Sequence, residues 1–163
     1  MLAVIALAFP RAARAEGNAD EADIEFEIAV DAYGQGDYRT ALEHFLASNR
    51  LVPNKNVVEN IARTYEKLGD HAKDPEAAAT YYAVAYRYFF DADDVETDAS
   101  VKQDIATSLA RIGPKVAVLR VETNPPGATI FIDRKDLGSR GKSPRPLALP
   151  AGKYKVLVER PGY

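Results

Sequence analysis

The feature that most limits the fold of this chain is a change in hydrophobic spacing at Gly113-Pro114. Before this step, apolar residues recur every three to four positions, which is typical of amphipathic helices. After it, apolar and polar residues alternate, which is typical of strands that bury one face. Helices and strands that are segregated along the chain predict an α+β protein of two modules rather than one mixed core.

The helical part spans residues 22–112, and the spacing of its apolar residues predicts five helices. In the first, Ile24, Ile28 and Ala32 follow one another at intervals of four and are expected to point inward, with Ala29 and Tyr33 one step round the same face. Asp37 and Asp74 are expected to cap the second and fourth helices. The third helix is expected to end just before Gly69, which would be the first residue outside it.

A stretch in the second helix has a recognisable order, Gly36-Asp37-Tyr38-Arg39-Thr40-Ala41-Leu42-Glu43-His44-Phe45 followed by Pro53-Asn54. It resembles the tetratricopeptide repeat, whose unit is a pair of helices about 34 residues long. The resemblance implies helical hairpins in which the first helix of each pair lines a surface that binds peptides or proteins. On the third helix this surface would carry Asn56, Glu59, Arg63 and Glu66. The alternative for these four is an ordinary solvated helix face.

The part after Gly113-Pro114 predicts four short strands separated by turns that contain proline and glycine. In the turn Pro125-Pro126-Gly127-Ala128, glycine supplies the positive φ that a type II turn requires. Four further segments follow along the chain: a short aliphatic strand from Ile130 to Asp133, Gly138 with Ser143-Pro144, the turn Pro150-Ala151-Gly152, and the closing pair Gly162-Tyr163. In this order they resemble the PEGA domain.

The PEGA resemblance implies a small all-β, sandwich-like domain over residues 116–163 and a place in the cell envelope. In related domains a last strand normally follows the Gly-Tyr pair. We therefore expect this domain to be C-terminally truncated, which would leave one sheet edge unpaired.

The first fifteen residues resemble a secretion signal. An apolar run from Met1 to Phe9 is followed by Pro10 and by Ala13-Arg14-Ala15, a small-x-small cleavage pattern. We predict a signal peptide over residues 1–15 and a linker over 16–21, and hence an exported protein that is periplasmic or on the cell surface. No later segment is apolar enough to cross a bilayer.

The composition restricts the chemistry of the chain. It has no cysteine, which excludes disulfides, thiolate catalysis and cysteine-based zinc sites. Its net charge of −3 lacks the basic surplus of a nucleic-acid-binding protein. His44 and His71, the only histidines, fall on different elements and predict no metal site. We predict no catalytic residue, cofactor or metal, and a protein that is not an enzyme.

Two further motifs resemble known ligand-binding loops but lack residues that those loops require. The Gly141-Lys142-Ser143 sequence lacks the glycine that a phosphate-binding loop has five positions earlier, where Asp136 stands. The acidic residues between Asp91 and Asp98 lack the oxygen ligand and the glycine of a calcium loop. Asp133 and Asp136 dilute the basic residues near the first motif, so the sequence favours a solvated loop over contact with an anionic polymer or a lipid headgroup. The basic residues are Arg134, Lys135, Arg140, Lys142 and Arg145.

The predicted fourth helix is rich in aromatic residues, of which Tyr82 and Phe89 are expected in the core. With no reactive site visible, the sequence favours a non-catalytic, exported interaction or scaffold protein of the bacterial cell envelope. One alternative is a module that contacts carbohydrate or peptidoglycan through the basic loop and exposed tyrosines. Another is a regulatory part of a larger enzyme.

Overall fold

The computed structural model describes the backbone of residues 11–162 and the side chains of residues 17–162. Five helices come first and four strands follow, so the predicted order of elements is confirmed. The helices are α1 (Arg11–Gly34), α2 (Tyr38–Leu51), α3 (Lys55–His71), α4 (Pro75–Val95) and α5 (Ala99–Ile112). The strands are β1 (Ala117–Val121), β2 (Thr129–Ile132), β3 (Arg145–Leu149) and β4 (Val156–Glu159). A 3₁₀ turn, Gly113–Lys115, joins the two parts, and another, Lys135–Leu137, follows β2.

Polar side chains at the helix starts explain where α2 and α4 begin. The carboxylate of Asp37 accepts a hydrogen bond from the backbone N–H of Thr40, at 3.2 Å. Asp74 accepts one from Ala77, at 2.8 Å, and is followed by Pro75 in the first turn. Both predicted caps are confirmed, and each satisfies an N–H group that the helix itself leaves unpaired.

Each helix packs against the next along the chain, and two apolar clusters result. One is built around Phe45 and Ile61, where α1, α2 and α3 meet. The other is built around Phe89, Ile105 and Ile112, where α3, α4 and α5 meet. Tyr82 and Phe89 are buried as predicted, at 8% and 0% exposure.

The predicted inward face of α1 is confirmed at Ala32 but not at Ile24 and Ile28. Ile24 and Ile28 are 58% and 41% exposed, and the buried side chains are Ala22, Ala29 and Ala32. Both sets have helical spacing, so periodicity does not choose between them. The small alanines let α1 lie close to α2, whose Ala41 belongs to the same cluster, and this close approach turns the isoleucines outward.

The start of α1 at Arg11 places residues 16–21, the predicted linker, inside a helix. Residues 1–10 of the predicted signal peptide lie outside the described residues, so export stays a prediction. Among the helices described, none combines the length and the apolar character that a bilayer span requires.

Gly69 does not end α3, which continues to His71. The glycine is required by a close approach of α4 instead, because a methyl group at this position would lie 2.7 Å from Cε1 of Tyr82. The Tyr82 ring is held in place by its hydroxyl, which donates to Asp70 at 2.9 Å. The predicted role of Gly69 as a helix terminator is therefore wrong.

We expect Gly69→Ala to destabilise the protein by about 1–2 kcal/mol. Overfilling a well-packed contact costs about 1–3 kcal/mol, and the better helix propensity of alanine returns up to about 1 kcal/mol. Gly34→Ala is the matched control, because nothing lies within 4 Å of a Cβ at that position. It should stabilise by about 0.4–1 kcal/mol. Urea unfolding followed by circular dichroism measures both, and a stabilising Gly69→Ala would contradict the close contact.

The strands form two antiparallel two-stranded sheets, β1 with β3 and β2 with β4. Their core consists of Val121, Ile130, Ile132 and Leu147, and it is separate from the two helical clusters. Gly127 has φ 93°, as the predicted turn requires. The chain thus consists of a helical module and a β module, each with its own apolar cluster.

The two modules meet where α4 packs against β3. Arg145 of β3 forms an ion pair with Asp91 of α4, and its guanidinium lies 5.2 Å from the centre of the Phe90 ring. This contact fixes one end of the strand against the last turns of the helix.

Candidate functional site

The residues predicted to bind a partner lie along one side of α3, but they are not equally accessible. Asn56 is exposed. Glu59 accepts two hydrogen bonds from Arg63, at 3.0 Å from Nε and 2.6 Å from Nη2. Glu66 is only 2% exposed and is therefore not available at the surface, unlike the prediction.

Glu66 is covered because Arg111 of α5 lies over it. The Arg111 Nη2 atom is 2.6 Å from Glu66 Oε1, an ion contact that lacks hydrogen-bond geometry. Burial raises the pKa of Glu66 and the charge of Asp70 adds to this, whereas Arg111 acts against it. Glu66 is thus a buried carboxylate whose charge is stabilised mainly by one half-exposed arginine, with smaller contributions from Lys115 and Lys67.

Asp70, one turn after Glu66, connects the helical module to the 3₁₀ turn that leads into β1. It accepts hydrogen bonds from the Tyr82 hydroxyl at 2.9 Å and from Lys115 Nζ at 3.3 Å. Burial alone would raise the pKa of Asp70, but these two donors, with the charges of Lys115 and Arg111, lower it. Lys115 also donates to Tyr82 at 2.8 Å, and its pKa is raised by Tyr82 and by Asp70.

Side chains of α1, α3 and α5 act on one another electrostatically. Burial raises the pKa of Tyr33 on α1, as does Tyr38 of α2, whose ring centre lies 5.2 Å away, and the charges of Arg63 and Glu66 on α3 and of Arg111 on α5 also act on it. We call this surface the odd-helix face and define it by Tyr33, Asn56, Glu59, Arg63 and Arg111. It keeps three of the predicted residues, and it adds two that sequence spacing did not reveal, because they lie on other helices.

The acidic segment before α5 has a structural role. Glu96 accepts hydrogen bonds from the backbone N–H groups of Thr97 and Asp98 and from Lys55 Nζ, all at 2.7–2.8 Å. The N–H of Asp98 contributes most, followed by Lys55 and Thr97, and together they lower the pKa of Glu96 to about 2. The segment thus holds the start of α3 against the start of α5.

We expect Glu96→Gln to lower the melting temperature at neutral pH and to have little effect near pH 2. Because the folded-state pKa lies below the usual value of about 4.3, this carboxylate stabilises the fold above that value. Its contribution is lost as the pH falls from about 4.3 to about 2. Thermal melts of wild type and variant across this window should converge. Glu43→Gln, at an exposed position, is the control and should leave the melting temperature unchanged throughout.

The two histidines have separate local partners. His44 Nδ1 lies 2.5 Å from Glu25 Oε2, and His71 Nδ1 lies 2.8 Å from the carbonyl oxygen of Lys67. Within residues 17–162, no three histidine or carboxylate side chains are grouped so that they would hold a metal ion.

The loop that contains Gly141-Lys142-Ser143 is organised around its serine. Ser143 is 4% exposed, and its hydroxyl accepts a hydrogen bond from the Ala128 N–H at 3.1 Å and contacts Thr123 Oγ1. The serine therefore holds the turn before β2 and does not face solvent.

Three of the five basic residues near this loop have acidic partners. Arg134 pairs with Asp136, Lys135 with Glu159 and Arg145 with Asp91. Arg140 and Lys142 have no ion-pair partner within the part of the chain that the structure describes. The positive charge available to an outside ligand is thus smaller than the sequence suggests.

Comparison with known proteins gives one finding, and it concerns the β module. Residues 116–163 match the family model of the PEGA domain. No curated protein and no solved structure matches the chain. The match therefore covers the whole β module of this chain, and five helices precede it.

Proposed function

We propose that this protein is a non-catalytic, exported interaction protein of the bacterial cell envelope, in which tetratricopeptide-like helical hairpins bind a protein or peptide. The observation that carries the proposal is the odd-helix face, where Arg111 of α5 contacts Glu66 of α3 and where charges of both helices act on Tyr33 of α1. In helical repeats, the first helix of every pair lines the binding surface, and in a tetratricopeptide-like arrangement α1, α3 and α5 would be those helices. The PEGA-like β module supports a place in the envelope.

The charges of the odd-helix face favour recognition through arginine. The Arg63 and Arg111 side chains are 36% and 49% exposed, and their carboxylate partners Glu59 and Glu66 lie deeper, at 18% and 3%. The guanidinium groups are therefore the more exposed members of their ion pairs, and guanidinium groups are well suited to bind carboxylates of a partner. We infer a partner segment that contains acidic side chains.

The proposal is tested by affinity capture from an envelope extract of the native host. Wild type should retain a discrete protein, and Arg63→Glu should reduce its recovery at least tenfold, because about 1.4 kcal/mol of binding free energy corresponds to that factor. Arg50→Glu, a charge reversal at an exposed position of α2, is the matched control and should bind as wild type does. Equal recovery with all three proteins would contradict a role for the odd-helix face.

A second candidate function is contact with cell-wall polymer, and the unpaired side chains of Arg140 and Lys142 favour it. A pull-down with purified sacculi separates it from protein binding. Retention that disappears in Arg140→Ala and Lys142→Ala variants would support this candidate, and retention that is absent in wild type would exclude it. The ion pairs of the other three basic residues make the protein-binding function the better supported one.

A further inference from the structure

A groove of about 160 Å³ lies between the two modules, along the contact of α4 with β3. Thr80, Ala83, Val84 and Arg87 form its helical wall, since they lie at intervals of three and four along one face of α4. The opposite wall is the backbone and side chains of residues 146–150. The small side chains of Thr80 and Ala83 leave this space open.

The most deeply buried residues that line the groove are apolar. Ala83, Ile132 and Leu147 are 7%, 4% and 6% exposed, and they come from α4, β2 and β3. An apolar group in the groove would therefore be shielded from water on several sides. This removal of apolar surface from water is the main source of affinity for such a site.

The charged side chains that line the groove are both arginines, Arg87 and Arg140. Neither has a carboxylate at ion-pair distance within residues 17–162. The Nε atom of Arg140 is buried and has no hydrogen-bond partner there. Its backbone is fixed by the hydrogen bond from its N–H to the Ile130 carbonyl, at 2.8 Å. A ligand carboxylate in the groove would be bound by the terminal N–H groups of the arginines, because the buried Nε atom is not accessible to it.

The volume limits what can occupy the groove. A cavity of about 150 Å³ takes a single benzene ring, so this groove holds one large apolar side chain and not an acyl chain. Because the two arginines line this same small space, the simplest ligand carries the carboxylate on the same residue whose side chain fills the groove. A residue that carries both groups is the C-terminal residue of a peptide.

We propose that the groove between α4 and β3 binds the C-terminus of a partner peptide. A large apolar last side chain occupies the groove, and the terminal carboxylate lies against Arg87 and Arg140. This site is separate from the odd-helix face and does not depend on the function proposed for it. It also involves both modules, so occupancy would strengthen their contact.

The test uses N-acetylphenylalanine as a probe of a C-terminal residue and follows backbone amide signals of the full chain by two-dimensional NMR. Saturable shifts confined to the groove are expected, with Kd on the order of 1 mM for a ligand of this size. N-acetylphenylalanine amide should bind at least fivefold more weakly. A dipeptide amide with phenylalanine followed by aspartate tests an internal acidic residue, and binding equal to that of the free acid would overturn the assignment to a C-terminus.

Variants separate the apolar and charged parts of the site. Arg140→Gln and Arg87→Gln should remove the preference for the acid over the amide, and Arg50→Gln, a surface control on α2, should keep it. Val84→Phe, at a half-buried position of the groove wall, should abolish binding while the spectrum remains that of a folded protein. Equal affinity for acid and amide in wild type, or shifts outside the groove, would overturn the proposal.

Discussion

Phe89→Ala is expected to destabilise the helical module by about 3–5 kcal/mol. Phe89 is fully buried and belongs to the cluster in which Ile105 and Ile112 attach α5 to α4. Removal of its ring leaves a cavity in a close-packed interior, in addition to the lost transfer free energy. Since domains of this size are stable by about 5–15 kcal/mol, the variant should lose a large share of its stability. Urea unfolding followed at the helical circular dichroism band measures the change.

The neighbouring position supplies a matched control for this experiment. Phe90 is half-buried and faces Arg145 of the β module, so Phe90→Ala removes the same ring from a less enclosed site. We expect a loss of about 1 kcal/mol, in proportion to the smaller area buried. Equal losses at both positions would mean that the apolar cluster is not centred on Phe89.

Arg111→Gln is expected to cost about 2–3 kcal/mol at neutral pH. It leaves the charge of Glu66, a residue that is 2% exposed, without its partner. Loss of one member of a fully buried pair costs about 3–5 kcal/mol, and the half-exposed arginine places this pair below that range. Arg63→Gln is the control, since its partner Glu59 lies one turn away on the same helix, and such a pair contributes about 0.3–0.5 kcal/mol.

The direction in which the stability of Arg111→Gln changes with pH distinguishes loss of charge compensation at Glu66 from a simple loss of packing contact. The pKa of Glu66 is already raised in the folded state, and removal of Arg111 raises it further. A raised carboxyl pKa means that stability decreases as the pH rises through the folded-state value. The penalty of Arg111→Gln should therefore shrink as the pH is lowered from neutral toward the ordinary carboxyl pKa of about 4.3. Adding Glu66→Gln should remove most of it at either pH, whereas additive losses would contradict the pairing.

The sequence was sufficient for those features that depend on local spacing and local chemistry. The boundary at Gly113-Pro114, the caps Asp37 and Asp74, and the four strands follow from periodicity and from residues that satisfy specific backbone requirements. The PEGA-like order of glycines and prolines is also local, and the family match bears it out.

The features that the sequence did not yield depend on contacts between distant residues. Alanines on α1 have the same helical spacing as its isoleucines, and only the approach of α2 decides which set is buried. Glu66 is exposed or buried according to the position of Arg111, 45 residues later on α5. Likewise, a glycine at position 69 is typical of a helix end. Here glycine is required because the Tyr82 ring on the next helix lies too close for a side chain.

The proposed function rests most directly on where a partner touches the chain in the cell. A photoreactive benzophenone amino acid placed at position 56, on the odd-helix face, should yield one discrete protein adduct in the native host. The same group at position 50, on α2, or at position 142, in the basic loop, should not yield that adduct. Absence of a protein adduct from position 56, together with cell-wall material crosslinked from position 142, would contradict the account.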